Sequence, residues 1–294
     1  MNKPQKQRVA VLGASSFVGQ SLLPLLISAN CRISAFSRNA VPQSHIDVYW
    51  AQLLQAKAEP HIHMQQKITL WISVAPIWVL ADYLPWIKNM GAKRVVVLSS
   101  TSKFTKTRST DVNEQGLAKR ISDSEQHFID WAEDNGIEWV ILRPTLIYGF
   151  GLDKNLSEIA RFIRRFFFFP VFGPASGLRQ PVHVADVAQA CVAALTVPTS
   201  NRAYNLSGGE TLTYKEMVFR VFKTLGRRPR FISVPLPFFH ITVALLRWLP
   251  RYRKWSFAMA ERMNQNLVFD HTEAQKDLGF SPRNFNLSAA ELPE

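Results

Sequence analysis

The sequence predicts an α/β fold: a doubly wound parallel sheet with a smaller C-terminal substrate lobe. Three observations predict it. Short β-rich apolar runs alternate with helically spaced segments from Arg8 to Leu142, the pattern of successive βαβ units. The first of these runs enters a glycine-bounded bend and then a helix. After Pro144 the alternation gives way to loops, aromatics and single helices. A chain of 294 residues, 47% hydrophobic, buries a sizeable core, and a charged fraction of 19% argues against disorder.

The elements follow in order. Arg8–Leu12 reads as a short buried strand, Phe17–Ile27 as a helix, Arg32–Phe36 as a second strand and Asp47–Trp50 as a third. Ile68–Val74 is an almost unbroken apolar run, as expected of a strand covered on both faces. Val79–Met90 reads as one helix ending at Gly91. Arg94–Leu98 (strand), Glu114–Glu133 (helix) and Ile137–Leu142 (strand) complete the regular part. Beyond it lie helices over Leu156–Phe166, Val184–Leu195 and Tyr214–Leu225. The expected division is residues 1–150 for the sheet part and 151–294 for the lobe. Residues 180–196 are expected to return to the sheet, with Pro181–Val184 adding a strand.

The bend after the first strand is Gly13-Ala-Ser-Ser-Phe-Val-Gly19. Between a strand and a helix, this is where a Rossmann-type fold holds a dinucleotide. The tight turn exposes backbone N–H groups, the helix dipole favours phosphate charge, and Gly19 lets helix and strand pack closely. Ser16 stands where a middle glycine is usual. An ordinary tight turn is the plainer reading, and position and context favour the phosphate site. The cofactor contacts expected here are Gly13, Ser15, Ser16, Phe17, Val18 and Gly19. The second strand runs out at Ser37-Arg38 without a carboxylate for a ribose 2′-hydroxyl. Arg38 fits the 2′-phosphate of NADP, so NADP is expected over NAD. A solvated loop arginine is the alternative.

The order of motifs resembles the extended, or atypical, short-chain dehydrogenase/reductase superfamily, the NAD-dependent epimerase/dehydratase group. The resemblance covers nearly the whole chain. It rests on the bend, Ser73-Val-Ala-Pro76, Val95-Val-Val-Leu-Ser-Ser-Thr-Ser102, Leu142-Arg-Pro-Thr-Leu-Ile-Tyr-Gly149 and Gln180-Pro-Val-His-Val-Ala-Asp-Val187, with Tyr204–Gly209 and Asp270–Phe285 behind them. It implies an NAD(P)-binding oxidoreductase or epimerase/dehydratase-like enzyme. Ala75, Pro76, Ser99 and Pro144 are then further cofactor contacts. Each motif also has a structural duty: Pro144 ends a strand, Asp186 caps a helix, His183 is a satisfied core histidine and Tyr148 a buried aromatic.

The superfamily's proton-transfer pair, a Tyr four residues before a Lys, is missing. Tyr49, Tyr83, Tyr148, Tyr204, Tyr214 and Tyr252 are followed four places later by Leu53, Ile87, Leu152, Gly208, Val218 and Ser256. Placing Lys119 at the lysine position puts Gln115 at the tyrosine position; aligning on Glu125 gives Leu117 and Ile121. Loss of a positioned general acid costs about 10²–10⁴ in rate. Three readings stand. Another group supplies the proton, with Ser100, Thr101, Lys119 and Tyr148 as the catalytic candidates beside Ser102, Lys103 and Lys106. Or the reaction needs little proton help. Or the chain is a catalytically silent NADP-binding scaffold or regulator, attached to a membrane complex.

Lys and Arg number 35 against 22 Asp and Glu, a net charge of +13. No acidic residue lies between Glu216 and Glu261, a stretch holding nine Lys and Arg. Such a field attracts small anionic substrates, nucleotide-linked sugars or lipid-linked groups among them, and acidic lipid surfaces. Nucleic acid is not expected, because no recognition motif accompanies the charge. Val234–Leu249 is broken by prolines and charges and falls short of a span, while its continuation through Arg251, Arg253, Lys254 and Trp255 suits either a membrane surface or a substrate lid. Arg161, Arg164 and Arg165 are read as a solvated helical face or a diphosphate clamp. Two cysteines, Cys31 and Cys191, make neither a disulfide scaffold nor a metal cluster and fit the cytoplasm. Peripheral attachment at the inner membrane face stays open.

Overall fold

The computed structural model describes residues 6–39, 41, 45–53, 67–234 and 257–293. In chain order the strands are β1 (Gln7–Leu12), β2 (Cys31–Ser37), β3 (Val48–Gln52), β4 (Leu70–Ser73), β5 (Arg94–Leu98), β6 (Glu138–Pro144), β7 (Ile147–Tyr148), β8 (Phe169–Phe172), β9 (Leu178–Arg179), β10 (Val182–His183), β11 (Arg202–Leu206), β12 (Leu212–Thr213) and β13 (Phe231–Val234). The helices are α1 (Phe17–Ser28), α2 (Ile77–Leu80), α3 (Leu84–Asn89), α4 (Ser102–Thr105), α5 (Val112–Asp134), α6 (Leu156–Phe166), α7 (Val184–Ala193), α8 (Tyr214–Thr224), α9 (Phe257–Asn264) and α10 (Thr272–Leu278).

Seven strands form one sheet, ordered β11-β6-β5-β4-β1-β2-β3, and every pairing in it is parallel. The order reverses at β1, so the chain leaves β1 towards β2 and returns on its other side as β4. Ligands of such sheets lie outside the carboxyl ends of the strands at that reversal. Alternation along each strand builds two cores. Val9, Val11, Ile33, Ile72, Val96 and Val140 face α1 and α7, while Ala10, Leu12, Trp71, Val95, Val97 and Ile141 face α2, α3 and α5. A third cluster forms the lobe. It joins Tyr148 to α6, β8, α8 and the C-terminal residues Phe285 and Leu292.

Three expectations are corrected. The single helix over Val79–Met90 is instead α2, a 3₁₀ turn (Ala81–Tyr83) and α3. Pro85 sits at the start of α3, where its missing N–H costs nothing; inside one continuous helix it would break the ladder. Pro181–Val184 does not join the main sheet. Val182–His183 pairs with Ile147–Tyr148 in a separate ribbon, because the free edge of β6 is taken by β11. This segment meets the sheet part through α7, which packs on α1. Asp186 does not cap α7. That role falls to His183, whose Nδ1 accepts from the Ala185 amide at 3.2 Å, leaving Asp186 to bind Arg283 through its amide (3.0 Å) and Nε (2.9 Å). Most of the basic apolar stretch 234–255 lies outside the described residues. No helix among those described is long and apolar enough to cross a membrane.

At the amino ends of the sheet, Arg94 is only 8% exposed. Its Nη1 donates to the carbonyls of Leu195 (3.1 Å) and Val197 (2.6 Å) just past the end of α7, and its Nε donates to Glu138 (2.7 Å). The arginine thus satisfies carbonyls that a helix end leaves open. Arg94→Met keeps the aliphatic stem and strips the donors. It should lower stability by about 2–3 kcal/mol, read as a fall in the urea midpoint at unchanged far-UV circular dichroism.

Candidate functional site

The bend after β1 is clamped from two sides. The amides of Gly13 and Ala14 both donate to the Phe36 carbonyl of β2 at 3.1 Å. Gly13 has φ +79°, and a Cβ there would stand 2.6 Å from the Ala75 amide nitrogen of the segment after β4. A Cβ at Gly19 would overlap the Ala14 carbonyl. Only glycine allows both approaches. Ser16 is the N-cap of α1: its Oγ accepts from the Gly19 amide at 3.1 Å instead of projecting across the bend. Among the described residues nothing accepts from the amides of Ser15, Phe17 and Val18. These are the free donors of a helix start, where an anion is favoured.

Ser15 and Ser37 join the bend to the end of β2 through an Oγ–Oγ hydrogen bond of 2.6 Å. Ser37 Oγ also accepts from the Asn39 amide at 3.1 Å, shaping the turn that carries Arg38. Arg38 is exposed and pairs with no carboxylate among the described residues. Pro76 is the N-cap residue of α2. Ser73, 1% exposed, leaves its Oγ without a hydrogen-bond partner at the end of β4. Gly13–Gly19, Ser37, Arg38, Ala75 and Pro76 therefore gather at the carboxyl ends of β1, β2 and β4, at the sheet reversal. Bare amides, an uncluttered bend and an unpaired guanidinium make a donor set that fits a dinucleotide.

Two strands away, the ends of β5 and β6 carry a polar cluster. The Ser99 amide donates to Leu142 O (2.7 Å), and Thr101 donates to Pro144 O through both its amide (3.2 Å) and its Oγ1 (3.1 Å). Ser100 Oγ accepts from the Ser102 amide at 3.1 Å. Beneath them Glu125 of α5 is 1% exposed and accepts from every side. Its donors are Ser99 Oγ at 2.5 Å, Arg143 Nε at 3.0 Å and Nη2 at 2.6 Å, and Lys103 Nζ. Burial alone would raise the Glu125 pKa, but the Arg143, Lys103 and Ser99 bonds outweigh it and hold the carboxyl below the usual range. One carboxylate against two cations leaves the cluster with a net charge of about +1 at neutral pH. The ring of Phe104 lies 5.4 Å from both Lys103 Nζ and Arg143 Cζ.

Two of the catalytic candidates lie apart from this cluster. Lys119 points outward, its side chain 77% exposed and bound to Asp123 at 2.6 Å, one turn along α5. Tyr148 is fully buried in the lobe core between His183 (5.1 Å) and Phe285 (4.9 Å). Burial, with the nearby Glu291 and Asp186 charges, pushes its phenol far above the ordinary value, and its hydroxyl has no partner in hydrogen-bonding geometry. Ser99, Ser100, Thr101 and Pro144 are brought together. Leu117 and Ile121, the positions obtained by aligning on Glu125, belong to the apolar side of α5, with Ile121 buried.

Glu125, Lys103 and Arg143 were not expected to act as a unit. The signal was present: Glu125 falls between Ile121 and Phe128 on the buried stripe of a helix, where an ionised carboxylate must find cations. Glu125→Gln keeps the shape and leaves Arg143 and Lys103 without their counter-ion, and should cost about 3–5 kcal/mol. Because the folded carboxyl is held low, its contribution is complete above the ordinary glutamate pKa and is lost as pH falls through the folded value. Denaturation at about pH 7 and about pH 3 should therefore show the variant's deficit shrinking in acid. A constant deficit would mean that charge is not the cause.

Residues 78–207 match the model of the NAD dependent epimerase/dehydratase family. Three known proteins illustrate the likeness. An uncharacterized protein, y4nG of Sinorhizobium fredii, is 25% identical over 306 residues, 94% of this chain and 75% of that protein. Subunit 9 of the mitochondrial NADH dehydrogenase (ubiquinone) 1 alpha subcomplex of Arabidopsis thaliana is 32% identical over 102 residues, 34% of this chain and 25% of that protein. The crystal structure of UDP-glucose 4-epimerase with UDP-glucose from Thermotoga maritima has a TM-score of 0.69 at 15% identity, over 97% of this chain and 96% of that one. The chain thus spans about a quarter of the Arabidopsis protein, against three quarters of the Sinorhizobium one.

Proposed function

We propose that the chain, whose residues 78–207 match the model of the NAD dependent epimerase/dehydratase family, binds NADP at the β1–α1 bend and acts as an oxidoreductase or epimerase-like enzyme on an anionic substrate. The observation that carries this reading is the bend itself, with three bare amides held open by two glycines and a serine cap. The amides of Ser15, Phe17 and Val18 hold the bridging phosphates. Arg38 meets the ribose 2′-phosphate, where an NAD site would present a carboxylate to the 2′-hydroxyl. Ala75 and Pro76 wall the crevice after β4, with Ser99 and Pro144 beyond. The bound dinucleotide supplies hydride exchange at its nicotinamide.

The chain's own chemistry then lies at the ends of β5 and β6. Lys103 Nζ, bonded to the Glu125 carboxylate, is the ammonium available there; Ser100 and Thr101 orient a substrate hydroxyl. Lys119 and Tyr148, pointing outward and buried in the lobe, take no part. The positive cluster favours a negatively charged substrate, in keeping with the UDP-glucose bound by the Thermotoga enzyme.

Fluorescence titration should give tighter binding of NADPH than of NADH. Arg38→Ala should weaken NADPH about 10–100-fold and leave NADH nearly unchanged. Absence of NADPH binding at physiological concentration would end the reading.

A second reading has its own support. Leu117 and Ile121 are apolar, and Ser99, Ser100 and Thr101 already bond to protein groups. The Arabidopsis relative is a subunit of an NADH dehydrogenase. In this reading the chain holds NADP without turnover, as a scaffold in a membrane complex. Incubation with NADP+ and a panel of nucleotide-linked sugars deuterated at the ring carbons separates the two. Deuterium on the nicotinamide, or an inverted ring carbon, establishes the enzyme; unchanged sugars with tight cofactor binding favour the scaffold.

A further inference from the structure

Two helices of the lobe end at one face. α6 stops at Phe167, a non-glycine residue in the left-handed region (φ +63°) whose amide closes on Ile163 O at 2.9 Å. α8 stops at Gly226 (φ +64°), and the Arg227 amide returns to Phe222 O at 3.0 Å. This second turn lays Arg227 over the Phe167 ring, with Cζ 4.8 Å from the centroid. The chain then runs Arg228-Pro-Arg230 into β13, which pairs with β8, and the Phe169 amide donates to Arg230 O at 2.8 Å. The end of α6, with Arg164, Arg165 and Phe167, thus adjoins the turn that carries Arg227, Arg228 and Arg230, and Phe167 is 49% exposed.

None of these five arginines has a carboxylate partner among the described residues. Arg161, one turn before Arg164, is set apart by its bond to Glu158 at 2.8 Å. The two helix C-termini contribute about −0.5 each, so the face keeps a net charge of about +4. A cavity of about 340 Å³ opens between Arg164 and Arg227, lined also by Thr224, Leu225, Ala289 and Leu292, with no acidic side chain in its wall. An exposed aromatic under Arg227 and close in the chain to further arginines, beside a small basic cavity, has the composition of an interfacial anchor. A nucleic-acid site would call for a groove following the backbone and several stacking rings.

We propose that this face docks on a bilayer containing anionic phospholipid, with the Arg164–Arg227 cavity receiving a headgroup phosphate and Phe167 entering the interface. The docking is separate from the dinucleotide crevice, so NADPH binding serves as the control for folding.

Co-flotation of the full chain with liposomes provides the test. Vesicles of phosphatidylcholine with about 30% phosphatidylglycerol should carry the protein, and pure phosphatidylcholine should not. Each cation near such a surface contributes about a fivefold gain in partition. Arg227→Ala/Arg228→Ala, both exposed positions, should therefore lower partition about twentyfold at unchanged NADPH affinity. Phe167→Ala should lower it at every salt concentration. Equal binding to both vesicle types, or binding that survives the double substitution, overturns the proposal. So does release by millimolar glycerol phosphate, which would mark a free-phosphate site, or tighter retention by single-stranded nucleic acid.

Discussion

The site depends on two missing side chains. With any Cβ at Gly13 or Gly19, the turn after β1 would have to withdraw from Ala75 or α1 from the strand that feeds it. The amides of Gly13 and Ala14 are spent on Phe36 O, which fixes the turn to β2. Those of Ser15, Phe17 and Val18 have no acceptor among the described residues. The same contacts that make the bend rigid thus decide which donors remain for a ligand. Pre-organised donors of this kind need no rearrangement before they meet a phosphate.

The second constraint is electrostatic. Glu125 lies in a helix stripe that otherwise packs against hydrocarbon, and it is tolerated there because Ser99, Lys103 and Arg143 converge on it. That convergence ties α5 to the ends of β5 and β6 and fixes the angle at which Lys103 leaves α4. Where the sequence resemblance would place a phenol and an ammonium one helical turn apart, Leu117 and Ile121 present hydrocarbon on this helix. The Lys103 ammonium near the strand ends arrives from a different element and is held by a carboxylate.

Most of the sheet was legible from residues 8–142, because buried parallel strands leave short apolar runs and the connecting helices leave 3.6-residue spacing. The bend was legible for a similar reason: its glycines are demanded by backbone contacts. What escaped was set by tertiary pairing. Val182–His183 has the apolar character of a strand, but nothing in those residues says that the edge of β6 is already covered by β11. His183 has the look of a core histidine and caps α7 through a ring nitrogen, while Asp186, an ordinary capping type, reaches 97 residues ahead to Arg283. At the candidate site, the chain order shows four serines and threonines in a row. Only the folded arrangement shows that Ser99 is committed to Glu125 and Thr101 to Pro144, and that Tyr148 lies in another core.

The lobe core joins Tyr148 and α6 to Phe285 and Leu292, and Asp186 grips Arg283 beside them. This has a consequence for the order of assembly on the ribosome. The seven-stranded sheet has all its strands once Leu206 has emerged, whereas the lobe lacks part of its hydrophobic interior until nearly ninety further residues have been made. The nascent polypeptide therefore passes through a stage in which the dinucleotide half is topologically complete while the apolar side of α6 waits uncovered, a window in which a chaperone or an early-bound nucleotide would have the most influence on yield.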